Sequence, residues 1–139
     1  MKRTILFPVL FLTAIILGIS GCSKENSNTN SIKITSTNPD SPANLPFGEF
    51  VLIRYEYHIS HPEGARIWVQ PYTDGKKTPN FLYSKSKIFT GKGSREVGVS
   101  VKDGPHAVLV DQLRIIITTP DQEKSLYESF LDVQYTFTD

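Results

Sequence analysis

Residues 49–60 read EFVLIRYEYHIS, and their alternation decides the fold. Val51, Ile53, Tyr55, Tyr57 and Ile59 share one side of an extended chain, while Leu52, Arg54, Glu56 and His58 share the other. A period of two belongs to a half-buried strand; a helix would repeat its apolar positions every three to four residues. β-Branched and aromatic side chains on the apolar side suit the pleated surface of a sheet.

The same period recurs on both sides of this stretch. Upstream, Ile32, Ile34 and Ser36 alternate with Lys33, Thr35 and Thr37 until Asn38-Pro39-Asp40-Ser41-Pro42 interrupts, since proline has no amide proton to donate. Downstream, His61-Pro62-Glu63-Gly64 turns the chain into Ala65–Tyr72 (ARIWVQPY), where Ala65, Ile67 and Val69 oppose Arg66, Trp68 and Gln70. A loop at Asp74-Gly75 follows, then one short strand around Phe81 to Ser84. Gly91-Lys92-Gly93 reads as a break before a strand Arg95–Val101 with Val97, Val99 and Val101 aligned. Val108–Thr119 sets Leu113, Ile115 and Ile117 on one face and Arg114, Ile116 and Thr118 on the other. The last strand turns Leu131, Val133, Tyr135 and Phe137 inward. No eleven-residue window after Cys22 shows a helical stripe. Six or seven strands punctuated by Gly and Pro predict an all-β, immunoglobulin- or fibronectin-like sandwich over residues 32–139. A β-barrel is the alternative.

Composition sets the outer limits. The chain has 139 residues, enough for one domain, and is 39% hydrophobic and 21% charged, a globular balance. With 15 Lys or Arg against 14 Asp or Glu the formal charge is +1, which gives no support to nucleic-acid binding. The single cysteine, Cys22, allows neither an internal disulfide nor a multi-cysteine zinc site.

Residues 1–21 have the layout of a secretory signal: Lys2 and Arg3, an apolar run from Thr4 to Ile19, then small residues, with no carboxylate before Glu25. Ile19-Ser20-Gly21-Cys22 resembles the lipobox of bacterial lipoproteins. The resemblance implies a diacylglycerol on the sulfur of Cys22, cleavage between Gly21 and Cys22, and further acylation, for example by palmitate, of the new amino terminus. Two or three acyl chains, at ~0.8 kcal/mol per buried methylene, hold a protein on a membrane where one chain would not. Cleavage removes Lys2 and Arg3 and turns the net charge from +1 to −1, so the lipid and not electrostatics does the anchoring. By the same resemblance Ser23, standing where Asp would favour inner-membrane retention, points to the outer membrane where the organism has one. Ser23–Ser31 (SKENSNTNS) has no apolar residue and reads, with Cys22, as a flexible leash over residues 22–31 whose mean reach is ~15–18 Å.

The search for chemistry is mostly negative. There is no Gly-x-Ser-x-Gly, and the only cysteine belongs to the anchor. His58, His61 and Glu63 do not amount to a metal constellation, so no metal, cofactor or catalytic residue is expected. Gly91-Lys92-Gly93-Ser94 lacks the following helix of a phosphate loop and reads as a hairpin turn, as do Asp74-Gly75 and Asp103-Gly104.

One cluster stands out. Trp68, Tyr72, Phe81, Tyr83 and Phe89 lie close in sequence beside Arg66, Gln70 and Asn80. Rings next to amide and charged groups suit protein contact or sugar stacking. The position of Trp68, in the third strand, resembles that of the core tryptophan of immunoglobulin domains, which implies that these rings fill the core and cover the open edge of the sandwich. The stretch Ser41–Phe137, through Pro46-Phe47-Gly48-Glu49, Arg66-Ile67-Trp68 and Val110-Asp111-Gln112-Leu113-Arg114, also resembles accessory sandwich modules of bacterial secreted and surface proteins. That resemblance brings no activity with it.

The expectation for function is a non-enzymatic binding or assembly module of the cell envelope, meeting an envelope protein through a strand edge or through Arg66, Trp68, Gln70, Tyr72 and Tyr83. The alternative is carbohydrate recognition by exposed Trp68, Tyr72 and Tyr83, with a small hydrolase third.

Overall fold

The computed structural model describes residues 29–139. The signal segment, the Ile19-Ser20-Gly21-Cys22 motif with its cleavage and lipid-attachment positions, and leash residues 22–28 lie outside the described residues. Ten strands follow: β1 Ser31–Asn38, β2 Ala43–Pro46, β3 Val51–Ile59, β4 Ala65–Thr73, β5 Lys76–Lys77, β6 Phe81–Tyr83, β7 Ile88–Phe89, β8 Gly91–Val101, β9 Val108–Thr118 and β10 Ser125–Thr138. Six of the expected strands appear as β1, β3, β4, β8, β9 and β10 and the short one at Phe81 as the three-residue β6, while β2 at Ala43–Pro46 was not expected. No helix occurs among the described residues.

The strands form a β-sandwich. One sheet has the order β1-β3-β8-β6; the other runs β2-β10-β9-β4-β5, with β7 also paired to β4. With β1 and β2 counted as one split edge strand, these are the A-B-E-D and G-F-C orders of immunoglobulin sandwiches, extended by β5. The split occurs at Pro39 and Pro42, which take the chain from the edge of one sheet to the edge of the other, where β2 lies parallel to β10. There the Tyr135 hydroxyl donates to the Pro39 carbonyl at 2.9 Å, tying the crossover to β10.

The core is the overlap of the two inward faces. Val51, Ile53, Tyr55, Ile59, Val99 and Val101 from the first sheet meet Ile67, Val69, Leu113, Ile115, Ile117, Tyr135 and Phe137 from the second. A fully buried side chain of this size is worth about 1.5–3 kcal/mol, so the parity of each long strand is strongly specified. Inward parity on β3, β4 and β10 is the one predicted. On β9 the buried set passes from Val110 to Leu113, Ile115 and Ile117 across an irregularity in the β9–β10 register.

Two readings of turns come out differently. Asp74-Gly75 is the expected hairpin turn: both residues have positive φ, 49° and 74°, between Thr73 and Lys76, the type I′ geometry. Gly91-Lys92-Gly93-Ser94, expected to break the chain, is instead the first part of β8, paired with Glu56–Ile59. Gly93 is there because the Tyr57 ring lies across it: a Cβ at Gly93 would fall 2.5 Å from the Tyr57 hydroxyl oxygen. At the start of the described chain, Asn30 Oδ1 accepts from the Ser60 amide at 2.9 Å, pinning the entry to the end of β3.

Two outcomes test this packing. Gly93→Ala should lower stability by about 1–3 kcal/mol in denaturant titrations, since the Tyr57 ring must leave its place. Burial pushes the Tyr55 phenol up to about 12, partly offset by Arg95. Phenols of the unfolded chain ionise near 10, so this stabilisation is complete below about pH 10 and is lost as pH rises through about 12. Melting temperature against pH should fall across that window, and less steeply in Tyr55→Phe.

Candidate functional site

The outward face of β4 carries Arg66, Trp68, Gln70 and Tyr72, because Ala65, Ile67, Val69 and Pro71 are committed to the core. Register extends this face into a grid. Trp68 stands beside Ile116, which stands beside Glu128; Gln70 stands beside Arg114, which stands beside Phe130; Tyr72 stands beside Gln112, which stands beside Asp132. The expectation that Trp68 is a core residue is therefore corrected. It sits in the third long strand, but on the opposite parity from the core, and is half-buried on the outer surface.

Tyr83 reaches this face from the neighbouring sheet. β6 pairs with β8 at the edge of the four-stranded sheet and runs alongside β4, where Tyr83 meets Trp68 edge-on at 5.9 Å between centroids. Phe81 lies 5.4 Å from Tyr83. Trp68, Gln70, Phe81, Tyr83, Arg114 and Ile116 line an open groove of about 270 Å³. Its lining is mixed, with Lys77, Thr118 and Gln122 beside the rings, and Ile116 is buried there although its position faces outward. The Trp68 Nε1–H donates to Thr118 Oγ1 at 3.3 Å, which orients the indole.

Beside the groove a second ring pair continues the patch. Tyr72 and Phe130 meet at 5.6 Å and 82°, with the Arg114 guanidinium 5.9 Å from the Tyr72 centroid. Arg114 donates through Nε to Glu128 at 2.6 Å and through a terminal nitrogen to Gln70 Oε1 at 3.3 Å. The guanidinium is thus fixed between Glu128 and Gln70, and its charge is paired with that of Glu128. Tyr83 and Phe130 remain 54% and 49% exposed.

The remaining site residues separate. Arg66 stands apart from the groove, its guanidinium donating to the Pro120 carbonyl at 2.8 Å and the Ser86 carbonyl at 2.6 Å. It braces two connections against β4. Phe89 belongs to the core and leaves the cluster. Arg114, Ile116, Glu128 and Phe130 were missed as site residues. The signal was Ile116, an apolar residue on the polar side of its strand, which implied cover from outside.

Asp121 is held below the usual carboxylate range by the Thr119 hydroxyl and then the Glu123 amide, both donating to it within the 119–124 turn. His58, His61 and Glu63 do not gather; no three His, Cys, Asp or Glu among the described residues are grouped to hold a metal ion. No protein-family model matches the chain, and a search of characterised proteins returns no match.

A partly covered indole sets the expected optical behaviour. Iodide should quench the fluorescence of Trp68, the sole tryptophan, to an intermediate degree, and Tyr83→Ala should increase that quenching by uncovering the ring edge. Quenching as weak as for a core tryptophan would contradict the outward orientation.

Proposed function

We propose that this chain is a lipid-anchored protein of a bacterial envelope whose sandwich is a non-enzymatic binding module, meeting a protein partner through the outer face of the β10-β9-β4 layer. The anchor rests on sequence alone, on Ile19-Ser20-Gly21-Cys22 behind an apolar run with a basic start. What supports the binding face is one observation: two ring clusters, Trp68–Tyr83–Phe81 and Tyr72–Phe130, flank the paired Arg114 on a side of the sheet that strand parity turns toward solvent. Exposed aromatic clusters with a central arginine are the composition of protein contact surfaces. Exposed patches of this kind cost solubility unless a partner covers them.

A sugar ligand is the second reading, and the exposure of Tyr83 favours keeping it. Ring geometry decides the order. Trp68 and Tyr83 are inclined by 67°, Tyr72 and Phe130 by 82° and Phe81 and Tyr83 by 34°, so no pair forms a coplanar platform, and a sugar would stack on a single ring such as Tyr83. Inclined rings with clefts between them fit the side chains of a protein better.

Two measurements check this. Native chain labelled with a radioactive fatty acid should carry the label and a diacylglycerol mass on Cys22, and Cys22→Ala should carry neither. Photo-crosslinkers placed at Tyr83 or Phe130 in cells should give a discrete protein adduct, while one at Thr35 on the opposite sheet should give none. An adduct that survives protease digestion as a glycan would replace the protein reading with the sugar one.

A further inference from the structure

The segment Lys76–Arg95 contains six cations and no carboxylate. The fold divides them. Lys76 and Lys77 lie in β5, at the end of the sandwich away from Asn30. Lys85, Lys87, Lys92 and Arg95 gather toward the opposite end, where the described chain begins. Ile88 pairs with Arg66 at the start of β4, and Lys92 pairs with His58 near the close of β3, the residue that Ser31 flanks from the other side. Lys87 and Arg95 both lie over the Phe89 ring, at 5.7 and 5.2 Å. Lys33, Tyr57, His58, Lys92 and Ser94 border an open hollow of about 600 Å³ at the same end. Ile88, 47% exposed, stands beside Lys87. Lys124 lies in the turn before β10 at this end as well.

Four carboxylates share that end, Glu56, Glu63, Asp121 and Glu123, and the cations with Arg66 outnumber them. At the far end the balance reverses: Asp40, Glu49, Asp74, Asp103, Asp111, Asp132 and Asp139 stand against Lys76, Lys77 and Lys102. The two ion pairs near the middle, Arg54–Glu96 and Arg114–Glu128, cancel internally. The body is therefore charged along its length, positive where the chain enters and negative where it is most distant from the entry.

We propose that the cationic end is a docking surface for anionic lipid headgroups, so that the sandwich stands upright on its membrane with the acidic end pointing outward. This rests on the lipid anchor proposed above, which supplies proximity: Cys22 is eight residues from Asn30, and a polar linker of that length has a mean reach of about 15 Å. That distance approaches the roughly 8–10 Å over which charges act in physiological salt, so the lysines sample the surface potential whenever the leash relaxes. With attachment supplied by the lipid, each lysine at an anionic surface favours the docked over the undocked orientation about fivefold, and Ile88 adds an apolar contact at the headgroup boundary. Repulsion of the far-end carboxylates selects the same orientation. An acidic polymer is the competing occupant; the position of the cations around the chain entry favours the membrane.

The test is lysine footprinting by acetylation and mass spectrometry of the full acylated protein, reconstituted in vesicles of phosphatidylcholine alone or with phosphatidylglycerol added. On anionic vesicles at low salt, labelling of Lys33, Lys85, Lys87 and Lys92 should fall by at least about fivefold, the gain from one lysine alone, relative to neutral vesicles, with Lys76, Lys77 and Lys102 unchanged. High salt should restore it. The double variant Lys87→Glu with Lys92→Glu, whose fold is checked by its melting temperature, should lose the protection of Lys33 and Lys85. Equal labelling on both vesicle types overturns the proposal, as does protection that persists in the double variant. Protection by added polyglutamate on neutral vesicles, with none on anionic ones, reassigns the surface to an acidic polymer. Flotation with neutral vesicles and acyl mass on Cys22 report the anchor separately. Should the anchor fail, the same footprint with anionic vesicles in solution still decides the surface.

Discussion

The inward faces of β3, β4, β9 and β10 lock together across the sandwich, and everything on the outside follows from that contact. Ile53 and Tyr55 on one sheet, with Ile115, Ile117, Tyr135 and Phe137 on the other, are almost wholly removed from water. A slip of one residue would turn each of these outward at once, a loss of many kcal/mol in total. The strands therefore have no freedom to choose which of their other side chains meet solvent. Trp68, Gln70 and Tyr72 face outward because Ile67, Val69 and Pro71 cannot.

This constraint turns an ordinary sheet surface into a candidate site. Three strands supply a regular grid of outward positions, and the grid happens to hold rings at Trp68, Tyr72 and Phe130 with a guanidinium between them. A second layer of rings then comes from β6, which is a member of the other sheet. Burial of Ile116 in the groove they line shows that the patch is packed and not a scatter of exposed aromatics. The charge polarity of the body also depends on pairing, because register sets Lys33, Lys92 and Arg95 of β1 and β8 toward one end and Asp111 and Asp132 of β9 and β10 toward the other.

The site was only half legible beforehand. Alternation in ARIWVQPY put Trp68 opposite Ile67 and Val69, and that pattern was correct. Likeness to the core tryptophan of immunoglobulin domains pointed the other way, and here parity wins, since a strand has one inward side and aliphatic residues already hold it. Arg66 could not be told from a contact residue, because its carbonyl partners at Ser86 and Pro120 come from 20 and 54 positions away. Gly91-Lys92-Gly93 looked like a turn since glycine usually marks one. In β8 its role is to leave room for the Tyr57 ring.

Period-two alternation by itself determined that this chain is all-β with six or seven main strands, and the lipid anchor proposed on Ile19-Ser20-Gly21-Cys22 rests on a linear motif that needs no fold to be read. Local patterns of this kind need only neighbours along the chain. Tertiary structure alone decided that β6 and β10 complete the ring patch, that Arg114 is matched by Glu128, and that the lysines of residues 85–92 stand beside the chain entry. Each of those depends on which strands pair and in what register, and pairing is settled by the burial of the whole core at once, which no single stretch of sequence contains.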